Sequence, residues 1–176
     1  VFVEEGGFFL NNEMDDFSSK PGHPNFYGLI GSEANSIQPG KRMLSSMTPS
    51  IILKDSKPSL IVGTPGGSTI ITSVLQTILN VYEFDLSVQE AVNAPRFHHQ
   101  WLPDVVIFEE GIINKEKDSI LKSKSYFVIS LPIEVDTGGM SARSSIGAVD
   151  AILIDEEGKV STGADFRGDD YGEILK

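Results

Sequence analysis

An apolar run, Leu60-Ile61-Val62, stops at Thr64-Pro65-Gly66-Gly67-Ser68, and a helical pattern begins directly after it. That break constrains the chain more than any other stretch. Ile70, Ile71, Val74, Leu75, Ile78 and Leu79 recur at spacings of three and four, which predicts a helix over 70–81. A Pro-Gly-Gly break between strand and helix leaves backbone N–H groups unpaired and pointing outward. Glycine, having no side chain, lets another atom come close. Donors at a helix N-terminus favour negative charge. Such a turn can hold the oxyanion of an acyl-transfer intermediate; a tight strand-to-helix connection without chemistry accounts for the same residues.

The pattern around the turn is mixed. Val1-Phe2-Val3 and Phe8-Phe9-Leu10 read as strand on either side of Gly6-Gly7. From 18 to 40, Pro21, Gly22, Pro24, Gly28, Gly31, Pro39 and Gly40 prevent long regular elements, and a loop of that length is usually functional or mobile. Strands 50–53 and 60–62 flank Asp55-Ser56-Lys57-Pro58 as a hairpin, and their apolar character suggests cover on both faces. Ser87 and Glu90 form a capping box for a second helix that Pro95 ends. Strands follow at 105–108 and 126–129, with a helix from Asn114 to about Lys122 between them. A final hairpin joins 148–154 to 159–162, and an acidic tail over 165–173 reads as surface. This order suits a layered α+β sandwich better than a βαβ array.

A chain of 176 residues, 40% hydrophobic and 22% charged, can bury a full core and reads as one domain, 1–176. The net charge of −11 argues against nucleic acid and against an anionic membrane surface. Without cysteine there is no disulfide, thiolate metal site or cysteine nucleophile. No apolar run approaches the ~20 residues of a membrane span, and no signal peptide is seen. The first residue is valine in mid-strand, which reads as processing or truncation upstream.

Three further stretches carry candidate chemistry. Asn11-Asn12-Glu13-Met14-Asp15-Asp16 sets three carboxylates within four residues. They repel one another unless a cation sits among them, whether a substrate ammonium, a metal or an arginine. The regular oxygen spacing of a hard-cation loop is missing, and a solvated acidic turn is the plainer reading. Ser45-Ser46, after Lys41-Arg42, can bind a carboxylate through O–H and N–H donors, or can be a polar turn before Pro49. No Gly-x-Ser-x-Gly surrounds them, so they do not look like nucleophiles. In Arg96-Phe97-His98-His99-Gln100-Trp101 the adjacent histidines of a strand face opposite sides and cannot chelate one ion. Structural polar packing is the reading there. The Gly66-Gly67 turn has neither Rossmann nor P-loop spacing.

Four blocks in order, 11–17, Leu44-Ser45-Ser46-Met47-Thr48-Pro49, Gly63-Thr64-Pro65-Gly66-Gly67-Ser68 and 93–104, closely resemble the small C-terminal subunit of γ-glutamyltranspeptidases, and a weaker match closes on 163–168. The resemblance implies an N-terminal nucleophile (Ntn) hydrolase fold, an α+β four-layer αββα sandwich completed by a large N-terminal subunit of the same self-cleaving precursor. It implies γ-glutamyl transfer from glutathione and other γ-glutamyl compounds to water or to amino-acid or peptide acceptors, through a threonine ester, with no cofactor and no metal. Glu13 and Asp16 would hold the substrate α-ammonium, Ser45 and Ser46 its α-carboxylate, and Gly66 and Gly67 the oxyanion. Loop 18–30 with Tyr27, in the lid-like region 18–40, resembles the lid of bacterial members. By the same resemblance the threonine nucleophile, its pocket partners and the carboxylate-pairing arginine lie outside this chain, and bacterial members are periplasmic or secreted. Met43, Thr69 and Phe166 depart from the family's usual proline, arginine and proline. A related Ntn enzyme acting on acyl β-lactams or poly-γ-glutamate, and a non-catalytic fragment or inactive homologue, are the alternatives.

Overall fold

The Gly6-Gly7 break turns one short strand back on another. β1 (Phe2–Val3) pairs antiparallel with β2 (Phe8–Phe9), with Phe2 opposite Phe9 and their rings 5.0 Å apart. The computed structural model describes residues 2–25, 27–132 and 146–175; the expected strand residue Val1 and Phe26 of the expected lid-like loop lie outside them. The chain divides into two compact units, residues 1–46 and 47–176.

In the first unit the loop expectation holds. Two 3-10 turns, Glu13–Asp16 and Glu33–Asn35, are its helical elements among the described residues. Isolated bridges Ser18–Ser36 and Pro24–Ile30 close the loop, and Phe17 is buried beneath it.

The second unit begins with the expected hairpin. β3 (Ser50–Lys54) pairs with β4 (Lys57–Gly63) across Asp55 and Ser56, whose φ values of 50° and 64° make the two-residue turn that suits strand twist. Lys57 and Pro58 therefore belong to the strand. β4 runs through the Gly66-Gly67 turn into α1 (Ile70–Tyr82), and α2 (Val88–Asn93) follows. The Ser87–Glu90 capping box is present as expected. β5 (Phe97–His98) and β6 (Val106–Glu109) are antiparallel. After β6, α3 (Lys115–Ser123), capped by Asn114, leads to β7 (Val128–Leu131), which lies parallel to β6. The expected strand, helix and strand here thus form one βαβ unit within the α+β order. β8 (Asp150–Ile154) and β9 (Val160–Ala164) complete a four-stranded antiparallel sheet in the order β3-β4-β8-β9.

The core lies on one face of that sheet. Leu60, Val62 and Ala151 meet Ile70, Val74, Val81, Val88, Ala91 and Val92 of the helices. The opposite face corrects the expectation of two covered faces: Ile51, Ile61 and Ile152, cross-strand neighbours in register, are exposed. Ile71, Leu75 and Leu79 of α1 are exposed as well. The apolar stripe is wider than the surface one sheet can cover. Ser73 and Thr77 occupy the buried stripe because their small hydroxyls bond to nearby backbone carbonyls and let the helix come close.

Candidate functional site

The first unit builds a mixed polar and apolar pocket from residues thirty positions apart. The Ser46 hydroxyl donates to Asp16 Oδ1 at 2.8 Å. Asn35, which the sequence reading passed over, holds both segments: its Nδ2 donates to the Asp16 carbonyl at 2.7 Å and its Oδ1 accepts from the Leu44 N–H at 3.0 Å. Asp16 and Ser46 line a cavity of about 170 Å³ with Lys20, His23, Asn25 and Asn35. Asn25 shapes the loop at 25–29, its Oδ1 accepting from the N–H groups of Tyr27 and Leu29, both at 3.0 Å. Among the sequence candidates, this cavity brings together Asp16 and Ser46. Glu13, Ser45 and Tyr27 are exposed and do not line it. A carboxylate bonded to a serine hydroxyl, with a lysine nearby, offers an acceptor for an ammonium and donors for a carboxylate.

The second unit holds the Gly66-Gly67 turn. Gly66 has φ 141° and Gly67 φ 57°, conformations that glycine adopts without a Cβ penalty. A Cβ on Gly66 would lie 2.5 Å from Thr69 Oγ1 and 3.3 Å from the Gly147 Cα. The Thr69 N–H and hydroxyl both donate to the Gly66 carbonyl, at 3.1 and 2.9 Å, which fixes the turn as it enters the 3-10 segment Gly67–Thr69 and α1. Among the described residues, the N–H groups of Gly66 and Gly67 donate to no acceptor. They lie at the start of a helix, where the partial positive charge of backbone N–H groups favours an anion.

Behind this turn is a buried ion network that corrects the surface reading of the tail. Asp165 and Arg167 are fully buried, as are Arg96 and Glu109. Arg96 Nη2 meets Asp165 Oδ2 at 2.5 Å, Arg167 Nη1 meets Asp165 Oδ1 at 2.8 Å, and Arg167 Nη2 meets Glu109 Oε2 at 2.6 Å. Burial by itself raises the Asp165 carboxyl, but Arg96 and the N–H groups of Val149 and Arg167 outweigh it and hold that carboxyl below its ordinary value. Burial pushes Arg96 down. Arg167 is driven up in spite of burial, by its bonds to Glu109 and Asp165. The tail becomes surface only after this network. An arginine directly after Pro95 and the Asp165-Phe166-Arg167 alternation are the sequence signals, and neither names its partners. Arg167 also lies over the Phe166 ring at 4.7 Å.

The histidines separate, His98 closing β5 and His99 lying just past it. His98 is buried against the Thr72 hydroxyl and Gln100, while His99 faces Asp104 at 3.0 Å. Among the described residues no three histidine, aspartate or glutamate side chains converge as metal ligands.

Comparison with known proteins places the chain in a family. The family described as Gamma-glutamyltranspeptidase matches residues 1–175. The glutathione hydrolase proenzyme of Escherichia coli (strain K12) is 44% identical over 170 residues, which are 97% of this chain and 27% of that protein. The corresponding proenzyme of Pseudomonas aeruginosa is 44% identical over 179 residues, covering 100% of this chain and 30% of that protein. The chain therefore spans under a third of these relatives' length. The solved structure of gamma-glutamyltranspeptidase from Pseudomonas nitroreducens, complexed with L-DON, superposes with a TM-score of 0.84 at 43% identity, over 100% of this chain and 86% of that one. The α+β fold is thus of the Ntn-hydrolase type, as expected, and the chain belongs to the γ-glutamyltranspeptidase family.

Proposed function

We propose that the whole protein is a γ-glutamyltransferase and glutathione hydrolase, and that this chain is most of its small subunit. The observation that carries the reading is the Ser46–Asp16 hydrogen bond at the edge of the first unit's cavity, in a member of this family. Asp16 and Glu13 accept the α-ammonium of a γ-glutamyl group, Ser45 and Ser46 donate to its α-carboxylate, and Tyr27 covers it from the lid. A threonine hydroxyl from a segment outside this sequence, the N-terminus of the cleaved small subunit, attacks the γ-amide carbonyl. The oxyanion forms against the Gly66 and Gly67 N–H groups. The C–N bond then breaks, the departing amine takes the proton lost by the threonine, and a γ-glutamyl ester remains. Water or an acceptor amine attacks that ester and restores the threonine hydroxyl.

A large subunit from the same precursor is the proposed partner, and the exposed Ile51, Ile61 and Ile152 face supports one. Among the described residues no helix is long and apolar enough to cross a membrane. We place the protein in the periplasm or outside the cell, which cell fractionation tests.

The experiment is turnover of a γ-glutamyl anilide by the assembled heterodimer, with competition by glutathione, an acyl β-lactam and poly-γ-glutamate. Release of the aniline, suppressed by glutathione ahead of the others, is expected. No release from a preparation whose N-terminal threonine is confirmed by mass spectrometry overturns the reading. The 176-residue chain alone is expected to give none.

A further inference from the structure

The four residues Ile146, Gly147, Ala148 and Val149 are buried ahead of β8, yet no strand ladder satisfies them. Side chains from five places do so instead. The Ile146 N–H donates to Glu109 Oε1 at 3.2 Å, and its carbonyl accepts from Ser73 Oγ at 3.2 Å and Arg96 Nη1 at 2.9 Å. The Val149 N–H donates to Asp165 Oδ2 at 2.8 Å. Ala148 is held at both ends of its backbone by one hydroxyl. Its N–H donates to Thr64 Oγ1 at 2.9 Å, and its carbonyl lies 2.9 Å from the same oxygen. The Thr64 proton has a second acceptor in the Pro65 carbonyl at 2.7 Å.

The spacing around this hydroxyl is tight. Gly147 has φ 73°, and a Cβ there would lie 2.7 Å from Thr64 Oγ1 and 2.9 Å from Ser73 Oγ. Gly66 comes against the same residue from the other side, where its own Cβ would lie 3.3 Å from the Gly147 Cα. The ion network therefore fixes a platform, and Thr64 is the side chain that bonds the Gly66-Gly67 turn down onto it.

We infer that Thr64 is a positioning residue for the acyl-transfer step: its hydroxyl sets the direction in which the Gly66 and Gly67 N–H groups point. This rests on the reading that those groups hold the oxyanion. Thr64→Val keeps the side chain's size and leaves the buried N–H and carbonyl of Ala148 without that partner. The turn is then free to shift against its platform. Outright removal of one oxyanion donor typically lowers kcat by about 10²–10³, and a misdirected donor costs less. An interaction that matters only in the transition state lowers kcat without raising KM.

The test compares wild type, Thr64→Val and Thr64→Ser in the assembled heterodimer, by γ-glutamyl anilide kinetics and amide hydrogen exchange. In Thr64→Val we expect kcat to fall about ten- to a hundredfold, with KM within about twofold of wild type. Exchange at Ala148 is expected to accelerate. Thr64→Ser, which retains the hydroxyl, is expected to restore kcat and protection. Unchanged kcat in Thr64→Val overturns the inference, as does a rise in KM alone or a Thr64→Ser variant as impaired as Thr64→Val. An inactive wild type refutes the proposed activity instead, and exchange then decides: protection at Ala148 unchanged in Thr64→Val overturns the clamp. If Thr64→Val does not assemble, Thr64→Ala, which leaves room for a water beside Ala148, is held to the same kcat and exchange outcomes.

Discussion

The carboxamide of Asn35 joins Asp16 to Leu44, two segments that carry separate motifs in the sequence. Each of its bonds is an ordinary one, contributing on the order of 1 kcal/mol. Their value is geometric, because they hold the backbone beneath the Asp16 carboxylate and the serine pair. Asn35→Ala is expected to cost about 1–2 kcal/mol in kcat/KM, chiefly through KM. An unchanged KM in steady-state kinetics would count against that role. In the proposed reading, Asp16 makes the charge-assisted contact to the substrate ammonium. Asp16→Ala is expected to cost on the order of 2–4 kcal/mol in transition-state binding, read as kcat/KM on a γ-glutamyl anilide. A specificity constant close to wild type would remove Asp16 from the substrate's surroundings.

At the scale of elements, the Arg96, Glu109, Asp165 and Arg167 network ties the end of α2, strand β6 and the end of β9 to the platform before β8. Its charges balance in pairs, and backbone carbonyls of Val92 and Ala94 take remaining guanidinium protons. Removing one member leaves another charge buried without its partner, which typically costs about 3–5 kcal/mol. A domain of this size has about 5–15 kcal/mol to lose. Glu109→Leu is therefore expected to lower the urea midpoint sharply at an unchanged slope. A midpoint close to wild type would mean that Arg167 finds other acceptors.

Across the whole molecule, two properties depend on how these parts combine. One is acid stability. The folded Asp165 carboxyl lies below its ordinary 3.8, so the unfolded chain takes up a proton first as pH falls. The contribution of Asp165 to stability is full above the unfolded value and is lost as pH drops through the lower folded one. Urea midpoints measured from about pH 5 to pH 2 should fall most steeply below about pH 4, and Asp165→Asn should flatten that fall. An equally steep fall in the variant would place the acid sensitivity elsewhere. The other property is assembly. Ile51, Ile61 and Ile152 form an exposed apolar row on a sheet whose other face is core. Ile61→Lys should leave the helix-side core intact and abolish co-purification with the proposed large subunit. Retained co-purification would put that partner on another surface.

Local sequence was enough wherever one segment carries its own physics. The Pro-Gly-Gly break had to end a strand, the three-four spacing after it had to be helix, and Ser87 with Glu90 had to cap one. Ordered motifs were enough to recognise the family and, through it, the fold. Tertiary structure decided what depends on partners distant in the chain. It buried Asp165 and Arg167 in a stretch whose composition is that of a solvated tail, because Arg96 and Glu109 arrive there from elsewhere. It left Ile61 and Leu75 exposed, because hydropathy says that a side chain avoids water and does not say whether the covering surface belongs to this chain. It also made the Gly66-Gly67 turn more than a break between two elements. Glycine lets its backbone take those angles, but the turn rests on Gly147 and Ala148, some eighty residues away in sequence, through close packing of Gly66 on Gly147 and the Thr64 hydroxyl on Ala148.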